Sequence, residues 1–530
     1  MSLCYLKPTI KAEPLIWQWY AWPYLIPPIT AACNIVERHL KIMNSYVQNP
    51  QIHSQAVKDP KLLGGPFIDL DGQNVDEIKD LISKTKQDCE QLIFLNNAFK
   101  ELDKTIQSEA QGDSLETYYD RTPDILKGLI EFVYDLNNHP SIRLIEPLIY
   151  KNYFSTTNQQ IALSDTHSDF RKFVLSTPRI DHEEEVYLKI PFSDAHLDKL
   201  FKMKEEPQEF NKIQALFEVP ESKHSLFHSF FTNFKPTIAE NRNYHSQGIR
   251  LRYFGHACVL IQTKSVSILF DPVISYPIQA NTVPRYTFAD LPDYIDYVVI
   301  THNHQDHLMF ETLLQLRYKI GNVVFPANNT GAIADPSIKL ILQHMGFSSL
   351  IELKEMETIS LQDGEITALP FLGEHSDLNI QSKLSYSIKL KGKQFLFAAD
   401  SNNLDTTLYD HIFKHIGPID ILFLGMECDG APLTWLYGPL LSTPLKRTHD
   451  KSRTLSGSNF PKAWKIVERS GCKAAYVYAM GQEPWLNYVM ALKYLPDSIQ
   501  ITESDKLIQA CQNNGIESER LFGRKEWLIE

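Results

Sequence analysis

The stretch from Thr301 to Leu308 reads THNHQDHL and puts three imidazoles and a carboxylate within six residues. His302 and His304 alternate, so on an extended segment both face one side and reach one ion. Asp306 and His307 come after the chain turns and can serve a second ion. A single histidine is usually structural; four ligand residues at this spacing make a metal centre. Such a centre either hydrolyses through a metal-bound hydroxide or activates oxygen.

Two later stretches offer more carboxylates. Leu372 to Asp377, LGEHSD, presents both Glu374 and His375. Neighbouring side chains on an extended segment point apart, so one of the two is a ligand, and spacing alone does not choose between them. FLFAADSN, from Phe395 to Asn402, reads as a strand ending at Asp400. Three carboxylates beside His302, His304 and His307 suit iron as well as zinc. The alternative is zinc held by His375, with Glu374 behind it. Glu427, Cys428 and Asp429 follow the apolar run ILFLGM. Glu427 is either a structural carboxylate or an acid that hydrogen-bonds a ligand or relays a proton; Cys428 is a packed thiol.

These residues need a scaffold that ends strands in one place. The run YVVI before THNHQDHL reads as a buried strand, so the histidines lie on the loop at its C-terminal end. GIRLRYFGHACVLIQT and VSILFDPV read as strands joined at Lys264 and Ser265. Further strands are expected at Tyr297–Ile300, Val323–Phe325, Ile366–Phe371, Ser385–Leu390, Phe395–Ala398, Ile419–Leu424 and Ala474–Tyr478. Helical stretches at Phe310–Tyr318, Ile338–Met345 and Leu404–His415 alternate with them, which implies sheets covered by helices.

The first part of the chain is helix-rich α/β. Asn74 to Ile106 carries apolar residues at helical spacing, as one long helix or a broken pair. Pro123 to Leu136 reads as a helix capped by Thr122, and Ile142–Tyr150 and Phe173–Ser176 as strands. The charge-rich Asp181 to Pro220 is a solvated face or linker, with a domain boundary between 220 and 246. Trp17, Trp19, Tyr20 and Trp22 anchor an interface or pack a core.

A chain of 530 residues is expected to hold two domains. Hydrophobic content of 43% and charged content of 22% are those of a soluble globular protein. A formal net charge of -12 argues against nucleic acid as the main partner. The N-terminus shows no signal peptide, and Pro23, Pro27 and Pro28 spoil the most apolar early stretch as a membrane span. Seven cysteines without a CxxC pair fit a reducing, cytoplasmic setting.

The HxHxDH pattern after a strand resembles the metallo-β-lactamase superfamily over roughly residues 246 to 530. GHACVLIQT followed by ILFDP looks like that family's opening hairpin, with Asp271 as a supporting residue; FLFAADSN looks like its later strand, with Asp400 bridging two metals. The resemblance implies an αββα sandwich. Two departures stand out: the middle position offers Glu374 and His375, and the late YVYAMGQEPWLNYV has no histidine.

Over the whole chain, WQWYAWPYLIPP, GEHSDL and MECDGAPLTWLYGPL resemble the diiron β-hydroxylases of nonribosomal peptide assembly, of the chloramphenicol-pathway type. That resemblance implies two non-haem iron ions held by His302, His304, Asp306, His307, Glu374 and Asp400, with O2 as cosubstrate. The substrate would be an amino acid held as a thioester on the phosphopantetheine arm of a carrier domain. O2, two electrons and two protons would give the β-hydroxyaminoacyl thioester and water. An N-terminal domain over 1–245 would form a homodimer and shape access, 246–530 would be catalytic, and an unidentified donor would supply electrons. Residues 441–459, basic through Lys446, Arg447, Lys451 and Arg453, form a mobile loop, either solvated or facing the carrier arm. The rivals are a dizinc hydrolase, such as a lactonase or phosphodiesterase, and a carrier-binding scaffold with a vestigial site. The intact ligand set argues against the scaffold.

Overall fold

Strands that are apolar throughout, such as Ile421–Gly425 (ILFLG) and Ala474–Tyr478 (AAYVY), lie inside a sheet covered on both faces, because no alternate position tolerates water. The computed structural model describes residues 3–278, 283–328 and 331–530. Two seven-stranded sheets organise its second part. The first runs Leu350–Leu353, Ile320–Pro326, Ile295–Val299, Ser267–Phe270, Cys258–Gln262, Ile249–Gly255 and Lys525–Ile529. The second runs Thr358–Leu361, Gly364–Leu369, Ser385–Leu390, Lys393–Phe397, Ile421–Gly425, Ala474–Tyr478 and Glu517–Arg520.

The inner faces meet through stacked aromatics. Phe270 lies 4.2 Å from Phe397, which lies 4.8 Å from Phe423. Phe460–Ser470 and Ile499–Asn513 cover the outer face of the second sheet, and Phe310–Leu316 belongs to the layer outside the first. This is the αββα sandwich expected from the sequence. Several strands end in a residue forced into left-handed backbone, where the chain breaks from the sheet toward one common edge. His256 (φ 53°), Asp271 (34°), Ala399 (46°) and Ala479 (53°) all do so.

The first part builds smaller sheets of its own, the largest in the order Trp19–Tyr20, Ile10–Ile16, Gln159–Asp165 and Val186–Lys189. Its core does not stop at the boundary. Leu15, Trp19, Phe192 and Leu200 share one apolar cluster with Phe254, Leu260, Leu269 and Leu313 of the sandwich. A buried charge network crosses the same seam. Glu13 and Glu311, 1% and 3% exposed, are bound by Arg171, and Arg179 holds Glu13 at 2.9 Å. Tyr20, Tyr276 and Tyr488 donate their hydroxyls to Glu311.

One open alternative is decided and four local expectations are corrected. Asn74 to Ile106 is the broken pair, Val75–Asp88 and Glu90–Glu109. Pro123 to Leu136 is not a helix: Thr122 donates its hydroxyl back to Tyr118 and closes the preceding turn. Gly128 then takes φ 72°, and Ile130–Tyr134 pairs with Pro140–Leu144, burying Ile130 and Phe132 on one side. The strand beginning near Ile142 gives way to a helix, Glu146–Tyr153, with Pro147 in its first turn; Phe173–Ser176 forms turns, not a strand. Residues 181–220 are no linker, because Val186–Lys189 joins a sheet and the helix His196–Lys202 buries Leu197, Leu200 and Phe201.

The 441–459 segment is held rather than free. Its helix Arg447–Ser452 presents Asp450 to the backbone N–H and hydroxyl of Thr434, and Arg453 donates to the carbonyl of Ser376. Trp19, Tyr20 and Trp22 are interior, at 1–2% exposure, with Trp19 stacked on His39 at 3.9 Å. They pack a core and cannot anchor another chain.

Candidate metal centre

The candidate residues converge at the common edge, each delivered by a strand end. Ile295–Val299 leads into His302, His304, Asp306 and His307; Gly364–Leu369 leads to Glu374; Lys393–Phe397 leads to Asp400; Ile421–Gly425 leads to Glu427. Asp271 holds the histidine loop in place, accepting the Thr301 backbone N–H at 2.8 Å and its hydroxyl at 2.7 Å. Asp271 also lies 2.9 Å from Nδ1 of His307, which turns Nε2 inward.

Among the described residues, three groups of side chains could each hold an ion, with ligand atoms within 4.8 Å of one another. His302, His304 and Glu374 form one. His302, His307 and Asp400 form another, so His302 and His307 each belong to two groups. His256, Asp306 and His307 form the third. Nε2 of His307 lies 2.9 Å from Asp400 and 3.5 Å from Asp306; Nδ1 of His304 lies 2.9 Å from Glu374.

The donors fit an ion pair. Nε2 of His302, Nε2 of His307, Oε2 of Glu374 and Oδ1 of Asp400 are buried without a hydrogen-bond partner. Such atoms are costly unless something binds them. Burial alone would lower the His307 pKa, but the Asp400, Asp306 and Asp271 carboxylates raise it well above the ordinary range. His302, buried and surrounded by imidazoles, is pushed well below that range, which leaves it neutral and able to coordinate.

His375 contributes no atom to any of these groups. Its Nδ1 lies 3.0 Å from Oε2 of Glu374, and its ring stacks on His304 at 4.5 Å. The backbone explains the arrangement: Gly373, Glu374, Ser376 and Asp377 all have positive φ, so the segment coils instead of extending. Gly373 must be glycine, since a Cβ there would stand 2.4 Å from the Cβ of Asn402.

A cavity of about 390 Å³ opens over the centre. His304, Asp306, Glu374 and Asp400 border it, and Glu427 lines it as well. Burial, together with Asp400, Asp306 and Glu374, pushes the Glu427 carboxyl well above the usual carboxylate range. The apolar wall comes from both parts of the chain: Leu63 and Phe173 from the first, Trp435 and Val489 from the second. Gly64 and Phe173 also border two neighbouring cavities of about 540 and 440 Å³.

Sequence reasoning missed two residues here. His256 lies 3.0 Å from Asp306, and the hydroxyl of Tyr437 lies 2.7 Å from Nε2 of His304. The only signal for His256 was its place after Gly255 at the end of the opening strand. Tyr437 had none beyond lying in the MECDGAPLTWLYGPL stretch.

Comparison with known proteins agrees with this architecture. Residues 5–236 match the diiron non-heme beta-hydroxylase N-terminal domain, and residues 267–431 the beta-lactamase superfamily domain. The chain is 38% identical over 528 residues to the 4-amino-L-phenylalanyl-[CmlP-peptidyl-carrier-protein] 3-hydroxylase of Streptomyces venezuelae, covering 98% of both. A UPF0173 protein of Pyrococcus abyssi is 29% identical over 205 residues, 37% of this chain and 82% of that one. The crystal structure of CmlA, a diiron beta-hydroxylase from Streptomyces venezuelae, superposes with a TM-score of 0.93 at 37% identity, covering 100% of both chains.

Proposed function

The chain belongs to the diiron non-heme β-hydroxylases, and on that footing we propose that it hydroxylates the β-carbon of an amino acid held as a thioester on the carrier domain of a nonribosomal peptide synthetase. The relative that supports this substrate class acts on a peptidyl-carrier-protein-bound amino acid. The observation that carries the reading is a buried cluster of unpartnered imidazole and carboxylate atoms facing a cavity walled by both parts of the chain.

His302, His304 and Glu374 would hold one iron and Asp306 and His307 the other, with Asp400 between them. When bound, a non-heme diiron cluster supplies the redox chemistry that activates O2. The chain's own residues do the rest. Asp271 orients His307, and His256 orients Asp306. The apolar walls exclude water and hold the substrate side chain, and Glu427 is placed to hold or pass a proton at the cavity floor. The dizinc hydrolase reading would want a late histidine, and the chain has none beyond His449.

The proposed organisation assigns residues 1–245 to access and dimer formation and 246–530 to catalysis. The homodimer and the electron donor rest on the family resemblance alone, and the interior tryptophans add nothing to them. No helix among the described residues is long and apolar enough to cross a membrane.

The test is metal analysis after expression with iron and zinc both available, followed by turnover of carrier-bound amino acids with O2 and a reductant. About two irons per chain and a product heavier by one oxygen atom are expected. Two zincs, a featureless spectrum and ester or phosphodiester cleavage would overturn the reading.

A further inference from the structure

His304 is held differently from its neighbours. His302 and His307 turn Nδ1 toward Thr301 and Asp271 and face the centre with Nε2. His304 does the reverse: Nδ1 faces Glu374 at 2.9 Å, and Nε2 points away to the hydroxyl of Tyr437 at 2.7 Å. A neutral imidazole that coordinates through Nδ1 carries its proton on Nε2, so this N–H donates to the tyrosine oxygen. Tyr437 is fully buried, in the helix Leu433–Tyr437.

The ring of Tyr437 is backed by a residue from the first part of the chain. Tyr24 meets it edge-on, with centroids 5.9 Å apart. The Tyr24 hydroxyl donates to the carbonyl of Ala334 at 2.8 Å and accepts Nδ2 of Asn303 at 3.3 Å. Asn303 lies between His302 and His304 in the chain, so Tyr24 touches both the metal-binding loop and the tyrosine that receives its imidazole.

We propose that Tyr437, braced by Tyr24, is a positioning residue that fixes His304 with Nδ1 toward the ion shared by His302 and Glu374, so that the N-terminal part of the chain governs the affinity of one metal position and not the other. This rests on the assignment of His302, His304 and Glu374 as ligands. A hydrogen bond to the far nitrogen of a coordinating imidazole fixes its tautomer and raises its basicity, and losing it costs about 10–100-fold in metal affinity.

The test is an anaerobic titration of the full-length chain, stripped of metal, with cobalt(II), followed by visible absorption. The native chain should fill in two phases, and Asp306→Asn, at a residue outside the His302, His304 and Glu374 group, should identify the phase that involves His307. Tyr437→Phe keeps the ring and should weaken only the other phase, by about 10–100-fold. Tyr24→Phe should weaken that same phase by less. Two unchanged phases in Tyr437→Phe, or both phases weakened together, would overturn the proposal. A native chain that takes up no cobalt would instead overturn the ligand assignment beneath it.

Discussion

The carboxylate of Asp271 lies 2.9 Å from Nδ1 of His307 and accepts both the N–H and the hydroxyl of Thr301. One side chain thus orients a candidate ligand and shapes the loop that carries three others. Asp271→Asn keeps the size but replaces one acceptor with a donor. Iron content after dialysis against a chelator should fall, with affinity at the His307 position lower by about 10–100-fold. Native iron retention would refute this role.

Glu427 lines the cavity without taking part in any of the ligand groups. Glu427→Gln removes its proton and leaves its shape. Two irons per chain should persist while single-turnover product formation slows by about 10²–10⁴-fold. Unchanged turnover would make Glu427 a structural carboxylate.

Gly425 ends its strand directly against Asp400. A Cβ at this position would stand 2.7 Å from the Asp400 carboxylate and 2.7 Å from the Ala399 carbonyl. Gly425→Ala should lose about 1–3 kcal/mol of stability and release iron faster to a chelator. A variant with the native melting temperature and release rate would show that Asp400 has room to move.

Arg171 binds both Glu13 and Glu311 at the buried seam. Arg171→Met leaves two buried carboxylates there, with Arg179 still bound to Glu13. Urea denaturation should show a loss of about 3–5 kcal/mol. A loss under 1 kcal/mol would mean that the tyrosine hydroxyls suffice for Glu311.

Lys204 is buried against the Phe288 ring and donates to Gln315 at 2.7 Å; burial pushes its ammonium down to about 7. Above pH 7 the folded chain releases this proton before the unfolded chain does, because the free lysine pKa is about 10.4. The unfolded state therefore binds more protons, and stability contributed at this site rises with pH. The cost of burying the charge is fully present below pH 7 and fades toward pH 10. Native minus Lys204→Met stability, measured between pH 7 and 9.5, should rise steadily. A flat difference would mean the ammonium keeps its proton in the fold.

The cluster was legible where its candidate ligands lie close in sequence. THNHQDHL after a strand needs only the periodicity of extended chain to be read. The sandwich was legible because its inner strands are apolar throughout. The choice between Glu374 and His375 was not, because alternation presumes an extended segment, and positive φ at Glu374, Ser376 and Asp377 breaks that premise. His256 and Tyr437 reach the ligands only through folding, at 50 and 133 residues from their partners. Pro123 to Leu136 misled because a proline after threonine suits a helix start, whereas the Thr122 hydroxyl is already spent on Tyr118.

The apolar cluster that runs from Leu15 and Trp19 through to Leu260 and Leu313 bears on how such a protein can be altered. A sandwich cut free at residue 246 would expose the face that now packs against the N-terminal sheets, so it is not a portable module. Chimeras between relatives would need matched seams, and drift on one side would be answered on the other. A change to the wall around the centre is therefore felt on both sides of the seam, because Leu63 and Phe173 line the same cavity as Trp435 and Val489.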